Sequence, residues 1–320
     1  MPHNFRLMVF SGSANLDLGQ EIVRYIGIEL GKIKLHRFSD GETYVRYLES
    51  VRGADVFVIQ SLGNPVNENL MELLIMIDAL KRASAERISA VIPYYGYARQ
   101  DKKTLAREPI TAKLVADLLS AAGIDRMISM DIHAGQTQGF FDVPVDHLTA
   151  VPILADYFQE KKLENLVVVS PDVGRVKTAK RYSDRLNADI AILHKTRPAH
   201  NVSETTHVIG KVKGKVTLLI DDIIDTAGTM VGGAQTLKDH GATEIYACAT
   251  HPVLSGSAVE KLEASPIKEV VVTNTIPVSR KKWIKKLKVL SIAPLFAKTI
   301  VNVHEDKSVS ELLGGGDDQV

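Results

Sequence analysis

The chain has 320 residues, with 39 lysines and arginines against 38 aspartates and glutamates and a formal net charge of +1. That balance argues against a dedicated nucleic-acid binder, which carries a basic excess, and no run approaches the ~18 apolar residues of a membrane span. The one cysteine, Cys248, excludes an intramolecular disulfide and a cysteine-based zinc site. The apolar run 7–10 is too short for a signal-peptide core, so a cytoplasmic protein is expected.

Short apolar runs alternate with helical patterns, which predicts an α/β fold. Strands are expected at 6–10, 56–60, 88–92, 126–130, 166–170, 190–194, 216–220, 244–249 and 269–273. Many are continuously apolar, as in largely parallel sheets covered on both faces. A helix is expected over 69–83, with Leu70, Leu73, Leu74, Ile77 and Leu80 on its core face. Its additional Met71, Ile75 and Met76 point to burial on more than one face. Cys248 falls inside an expected strand and reads as core filler rather than a nucleophile.

The pattern strand, helix, strand recurs. Strand 56–60 leads through a helix to a strand ending at Pro93, and 216–220 leads through a helix to a strand ending at His251-Pro252. Two related α/β domains follow, at 1–146 and 147–312, with a Gly- and Asp-rich tail at 313–320 expected to be disordered. The first strand of each pair ends differently: Gln60-Ser61 in the first, Asp221-Asp222 in the second. Chemistry is therefore expected in the second copy's loop.

In that loop Asp221 and Asp222 are followed by Asp225, Thr226, Ala227, Gly228 and Thr229, then by a helix from about residue 230. Ligands of open α/β sheets sit at this edge. Small residues let backbone N–H groups approach a phosphate, the threonines add hydroxyl donors, and the helix start favours an anion. The carboxylates suit vicinal sugar hydroxyls, directly or through a metal. Together they fit a phosphorylated pentose, the alternative being a helix-capping turn.

Elsewhere, Phe38, Asp40, Gly41 and Glu42 put an aromatic and two acids around a turn, which could hold a base or be an ordinary Asp-Gly turn. Arg99, Gln100 and Asp101 open a polar run in which Arg99 could clamp phosphates or simply face solvent. Asp131 and His133 share one side of an extended segment, and Asp172 follows another strand end. Lys195 and Arg197 begin a polar stretch through Thr206, expected to be mobile. Two basic clusters around Trp283 read as a solvated face, with a phosphate patch the lesser alternative.

The loop resembles that of the type I phosphoribosyltransferase fold. The flanking motifs resemble the class I ribose-phosphate diphosphokinase family over nearly the whole chain. They are Ser11-Gly-Ser-Ala-Asn15, Phe38-Ser-Asp-Gly-Glu42, Pro93-Tyr-Tyr-Gly-Tyr-Ala-Arg-Gln-Asp101, Met130-Asp-Ile-His-Ala-Gly-Gln136, Ser170-Pro-Asp-Val-Gly174 and Thr250-His-Pro-Val-Leu-Ser255. The resemblance implies two tandem phosphoribosyltransferase-type domains. It implies transfer of the ATP β,γ-diphosphoryl group to the 1-hydroxyl of ribose 5-phosphate, releasing AMP, in nucleotide biosynthesis. ATP is implied at Phe38, Asp40, Gly41, Glu42, Arg99, Gln100 and Asp101, the first four reaching in from a neighbouring subunit. Ribose 5-phosphate is implied at Asp221, Asp222, Asp225–Thr229 and Arg197.

The same resemblance places Mg2+ at His133 and Asp172, with Asp131 as a further candidate. A direct histidine ligand would be unusual for that ion, so His133 could act on phosphates or through metal-bound water. Lys195 and Arg197, with His133, become the catalytic candidates. A homo-oligomer, commonly a hexamer, is implied, with ADP inhibition, phosphate activation and Ser308 and Ser310 as allosteric candidates. Two departures stand out: Thr196 where the family often has arginine, and Arg175 where it usually has glycine. A phosphoribosyltransferase would share the acidic loop but not the ATP motifs, and no Gly-x4-Gly-Lys-Ser/Thr of a P-loop kinase is present.

Overall fold

A computed structural model describes residues 5–196 and 205–313. The chain forms two compact units. The first contains the described residues up to Thr149, the strap Thr275–Pro277 and the described residues from Ile292 onward; the second contains Ala150–Asn274 and Val278–Ser291.

In chain order the first unit has β1 (Arg6–Ser11), α1 (Leu16–Ile26), β2 (Ile33–Arg37), β3 (Thr43–Tyr47), β4 (Ala54–Ile59), α2 (Val66–Arg82), β5 (Arg87–Ile92), α3 (Thr111–Ala122), β6 (Arg126–Met130) and β7 (Val145–Leu148). The second has α4 (Val151–Glu160), β8 (Leu166–Ser170), α5 (Val176–Leu186), β9 (Asp189–Thr196), β10 (Thr205–Ile209), β11 (Val216–Ile224), α6 (Gly228–Asp239), β12 (Glu244–Pro252), α7 (Ala258–Ala264), β13 (Glu269–Thr273) and β14 (Leu287–Leu290). The helix α8 (Ala293–His304) returns to the first unit. Among the described residues, no helix is long and apolar enough to cross a membrane.

The first unit's main sheet runs β1-β4-β5-β6-β7, all parallel, with β2 and β3 forming a separate antiparallel hairpin. The second unit's sheet runs β10-β9-β8-β11-β12-β13-β14 and is parallel except for the edge pair β10-β9. Its β8-β11-β12-β13-β14 portion repeats the connectivity of the first sheet, so the strand–helix–strand repeat in the sequence is a repeat of topology. Every residue of β4 is buried, and β13 is buried from its second residue, which is why these strands read as unbroken apolar runs. In α2, Leu70, Leu73, Met76, Ile77 and Leu80 are buried while Met71 is exposed, so its apolar surface extends beyond the core face. Cys248 is wholly buried in β12, and burial pushes its thiol up to about 12.

The division departs from the expected 1–146 and 147–312 at the C-terminal end. There α8 packs on α1, and a fully buried carboxylate at the foot of β4 fixes it. Asp55 accepts from Arg87 Nε at 3.1 Å and from His304 Nδ1 at 2.8 Å, while Arg87 Nη1 also reaches Asp306 at 3.1 Å. The expected disordered tail falls, from residue 314, outside the described residues. Removing one partner of such a pair leaves a poorly solvated charge behind. Asp55→Ala is therefore expected to lower stability by about 3 kcal/mol, against less than about 1 kcal/mol for the half-exposed Asp306→Ala, as measured by urea unfolding.

Candidate active site

The second unit's sheet delivers two acids at its C-terminal edge. The strand β11 runs on to Ile224, past the expected end at residue 220, so Asp221 and Asp222 lie within it. Asp221 still pairs with Ala249 of β12. Asp222 is buried, and its N–H donates to Asp221 Oδ1 at 2.9 Å. Burial raises the Asp221 carboxyl well above the usual range, and the adjoining Asp222 carboxylate adds to this. The Asp222 N–H and the charge of Arg175 oppose it.

Arg175 is the cation of this cluster. Its guanidinium Nη2 donates to Asp222 Oδ2, and its Nε lies 3.7 Å from Asp221 Oδ1. The single turn Val173–Arg175 places it there. Asp172 caps that turn, its Oδ1 accepting the Arg175 N–H at 3.0 Å.

After β11 the chain turns sharply into α6, which begins at Gly228, two residues earlier than expected. Ala227 adopts a left-handed φ of 60° at the helix cap. Thr226, Gly228 and Thr229 are exposed, and the helix's first N–H groups precede any intrahelical acceptor. The loop is held from behind: Ser255 Oγ donates to Asp225 Oδ1, and the Ser255 N–H donates to the Asp225 carbonyl at 3.0 Å. The cluster thus offers acceptors for hydroxyls beside donors for an anion.

The first unit treats its equivalent edge differently. Gln60 is fully buried, accepts from the Ala14 N–H at 3.1 Å, and donates to Glu72 Oε1 at 2.8 Å. Glu72 also takes the Ser13 N–H and hydroxyl at 2.6 and 2.8 Å. A Cβ on Gly12 would lie 2.4 Å from Gln60 Oε1, so a larger residue there would have to displace the Gln60 amide. The protein's own groups fill the edge.

Other candidates in this unit lie on three loops. Asp131 has a left-handed φ of 38°, and its N–H donates to the Leu148 carbonyl at 2.9 Å. The next N–H, of Ile132, donates to His147 Nε2 at 2.8 Å, so His147 steadies the segment bearing Asp131 and His133. Arg99 and Gln100 line a cavity of about 720 Å³ with Asn64, Pro65, Tyr94 and Tyr97. Thr111 Oγ1 donates to Gln100 Oε1 at 2.6 Å, and Gln136 donates to Asp101 at 3.0 Å. Phe38, Asp40, Gly41 and Glu42 form the exposed tip between β2 and β3, where Gly41 has a φ of 97°. Phe38 meets His36 and Tyr44 edge-on, at ring-centroid distances of 5.1 and 5.8 Å. No residue of that tip lines the Arg99 cavity.

The backbone of Lys195 pairs with Thr206 in the β9–β10 ladder, so the polar stretch expected to be mobile ends in a strand from Thr205. Its middle, with Arg197, lies outside the described residues. Ser308 and Ser310 are exposed beyond α8.

Two family models match the chain. The N-terminal domain of ribose phosphate pyrophosphokinase matches residues 7–123, and the phosphoribosyl synthetase-associated domain matches 198–314. A ribose-phosphate pyrophosphokinase from Caldanaerobacter subterraneus is 60% identical over 96% of this chain and 97% of its own length. One from Corynebacterium ammoniagenes is 57% identical over 97% and 98%. The chain belongs to the ribose-phosphate pyrophosphokinase family. Among solved structures, phosphoribosylpyrophosphate synthetase from Mycobacterium smegmatis is similar with a TM-score of 0.90 at 48% identity, covering 94% of this chain and 99% of that one.

Among the described residues, no three histidine, cysteine or acidic side chains cluster closely enough to hold an ion alone. Mg2+ is generally bound through one or two carboxylates with water and substrate phosphates. Asp172 in the second unit, and separately Asp131 in the first, are oxygen donors of the kind that ion prefers, and the His133 imidazole is not.

The raised Asp221 carboxyl has a consequence for stability. It keeps its proton in the folded state at pH values where the unfolded chain has lost it. Its contribution is complete below about pH 4 and is lost as pH rises toward the raised folded value. Urea unfolding at a series of pH values is expected to show the wild type losing stability relative to Asp221→Asn over that rise. Parallel profiles would remove the effect.

Proposed function

We propose that the chain transfers the diphosphoryl group of ATP to the 1-hydroxyl of ribose 5-phosphate, giving 5-phosphoribosyl 1-diphosphate and AMP for nucleotide synthesis. The observation that carries this is full-length similarity to ribose-phosphate pyrophosphokinases, joined to an acid pair and an open helix start on one loop of the second unit.

In this reading Asp221 and Asp222 accept hydrogen bonds from the vicinal ribose hydroxyls. The N–H groups and hydroxyls of Thr226–Thr229 hold the 5-phosphate, with Asp225 fixing the turn through Ser255. Arg99, Gln100 and Asp101 take the ATP phosphates and sugar. The Phe38–Glu42 tip, whose aromatic is exposed and edge-packed rather than buried, takes the base. Its separation from the Arg99 cavity supports a base held by the tip of a second copy, and hence a homo-oligomer, which we take to be a hexamer. ADP and inorganic phosphate are the proposed effectors, with Ser308 and Ser310 as candidate contacts. The proposed compartment is the cytoplasm, in keeping with a single unpaired cysteine.

The sugar hydroxyl oxygen attacks the β-phosphorus and gives up its proton to solvent, and the bond from that phosphorus to the oxygen bridging it to the α-phosphate breaks, releasing AMP. Such a reaction needs little acid–base chemistry; positioning and charge stabilisation do most of the work. Bound Mg2+ would neutralise phosphate oxygens, held by Asp172 and Asp131, with His133 on the phosphates or on metal-bound water. Lys195 and Arg197, which open the polar stretch through Thr206 in the sequence, are assigned to the charge that builds on the transferred group, Arg197 also to the sugar phosphate.

A product assay with ATP, Mg2+ and ribose 5-phosphate, with inorganic phosphate supplied, tests the reading. AMP is expected only when the sugar phosphate is present; ADP would mean γ-phosphoryl transfer and a wrong assignment. Lys195→Ala is expected to lower kcat by about 10³ with an unchanged unfolding midpoint. A variant within about tenfold of wild type would take Lys195 out of the chemistry.

A further inference from the structure

Arg175 connects two parts of the second unit's site. Its backbone N–H is bound by Asp172 Oδ1, while its guanidinium reaches both acids at the end of β11. That guanidinium is mostly buried, with the side chain 19% exposed against 15% and 10% for Asp221 and Asp222. Two adjoining carboxylates at such depth need a compensating charge. The available solutions are a proton, a metal ion or a fixed cation. Here the fixed cation is in place, and its planar fork spans the pair.

The turn that supplies it is short and pre-set. Asp172 caps Val173–Arg175, and α5 begins at the next residue, so the arginine's backbone is fixed at both ends. A glycine at this position would take that guanidinium charge away from the two acids. A hard divalent cation prefers oxygen donors, and an uncompensated pair would recruit one.

We propose that Arg175 is the resident counter-cation of the Asp221–Asp222 pair and keeps divalent metal off these two carboxylates in the free protein, leaving them as acceptors for the sugar. The inference rests on the proposed role of that pair, but its test does not depend on turnover. Arg175 is a positioning residue: it sets the charge and orientation of the acids and takes no part in bond making.

The test is a Mn2+ titration of the full-length protein without substrates, read by the loss of the free-ion electron paramagnetic resonance signal. Arg175→Gly is expected to bind one more Mn2+ per chain than wild type. The additional site should vanish in Arg175→Gly/Asp222→Asn, whereas Asp222→Asn alone should leave the wild-type count unchanged. Arg175→Met keeps most of the side-chain stem without the charge, and is expected to gain the same site should the glycine variant fold poorly. Equal counts in wild type and both Arg175 variants would overturn the proposal. So would an additional site that survives Asp222→Asn, or a wild-type count that falls with it. A protein that passes this test yet makes no AMP would keep Arg175 as counter-cation and lose the assigned reaction.

Discussion

Two carboxylates in sequence at the end of a buried parallel strand are an electrostatic problem, and the second unit is arranged around it. The strand β11 lies between β8 and β12, so Asp221 and Asp222 emerge where the sheet gives little access to water. Charge there must be neutralised or the acids protonated. The capped turn before α5 brings in a guanidinium, and Asp221 is pushed toward its neutral form. Immediately beyond, α6 starts with exposed amides whose partial positive charge suits an anion. Hydroxyl acceptors and anion donors are thereby set a few residues apart on one rigid edge.

The first unit shows what happens to the same topology without that demand. Its sheet follows the same strand order, yet Gln60 and Ser61 stand where the acids would be, and both are buried. Gln60, Glu72 and the Ser13–Ala14 backbone satisfy one another with good geometry. At this edge the polar groups bond chiefly to one another. The unit's candidate ligand groups sit on its loops and hairpin tip instead.

Much of this was legible in the sequence for a specific reason. Strands such as β4, β5 and β12 are buried on both faces, so they appear as apolar runs that cannot be mistaken for surface. The acidic loop was equally visible, because three aspartates with glycine and threonine at a strand end serve few structural purposes. The strands β2, β3, β7, β10 and β14 escaped notice. They are four or five residues long, and those whose side chains are described are largely half-exposed, so neither period has room to establish itself. Partners distant in sequence were beyond reach: nothing near Asp131 announces His147, and nothing near Asp225 announces Ser255. The weight of Arg175 could be seen only as a departure from glycine, since its partners lie 46 and 47 residues on, as the numbering of Asp221 and Asp222 shows. For α8 no helix was expected, and nothing near it shows the unit it joins, which depends on Asp55 far upstream.

The return of α8 to the first unit bears on how the chain can be made. Synthesis runs from the N-terminus, and domains generally fold as units as they emerge. Here Asp55 and Arg87 emerge early, yet His304 and the helix that covers α1 are among the last residues described. The strap Thr275–Pro277, whose carbonyl at Thr275 accepts from Ser61 Oγ at 2.5 Å, is also late. All of Ala150–Asn274 is translated in between. The second unit's strands are therefore complete before the first unit has its final helix, and the domain begun first is the one finished last. While translation continues, the nascent first unit carries an Asp55–Arg87 pair still missing its imidazole partner and an uncovered face on α1, the kind of exposed surface that chaperones bind.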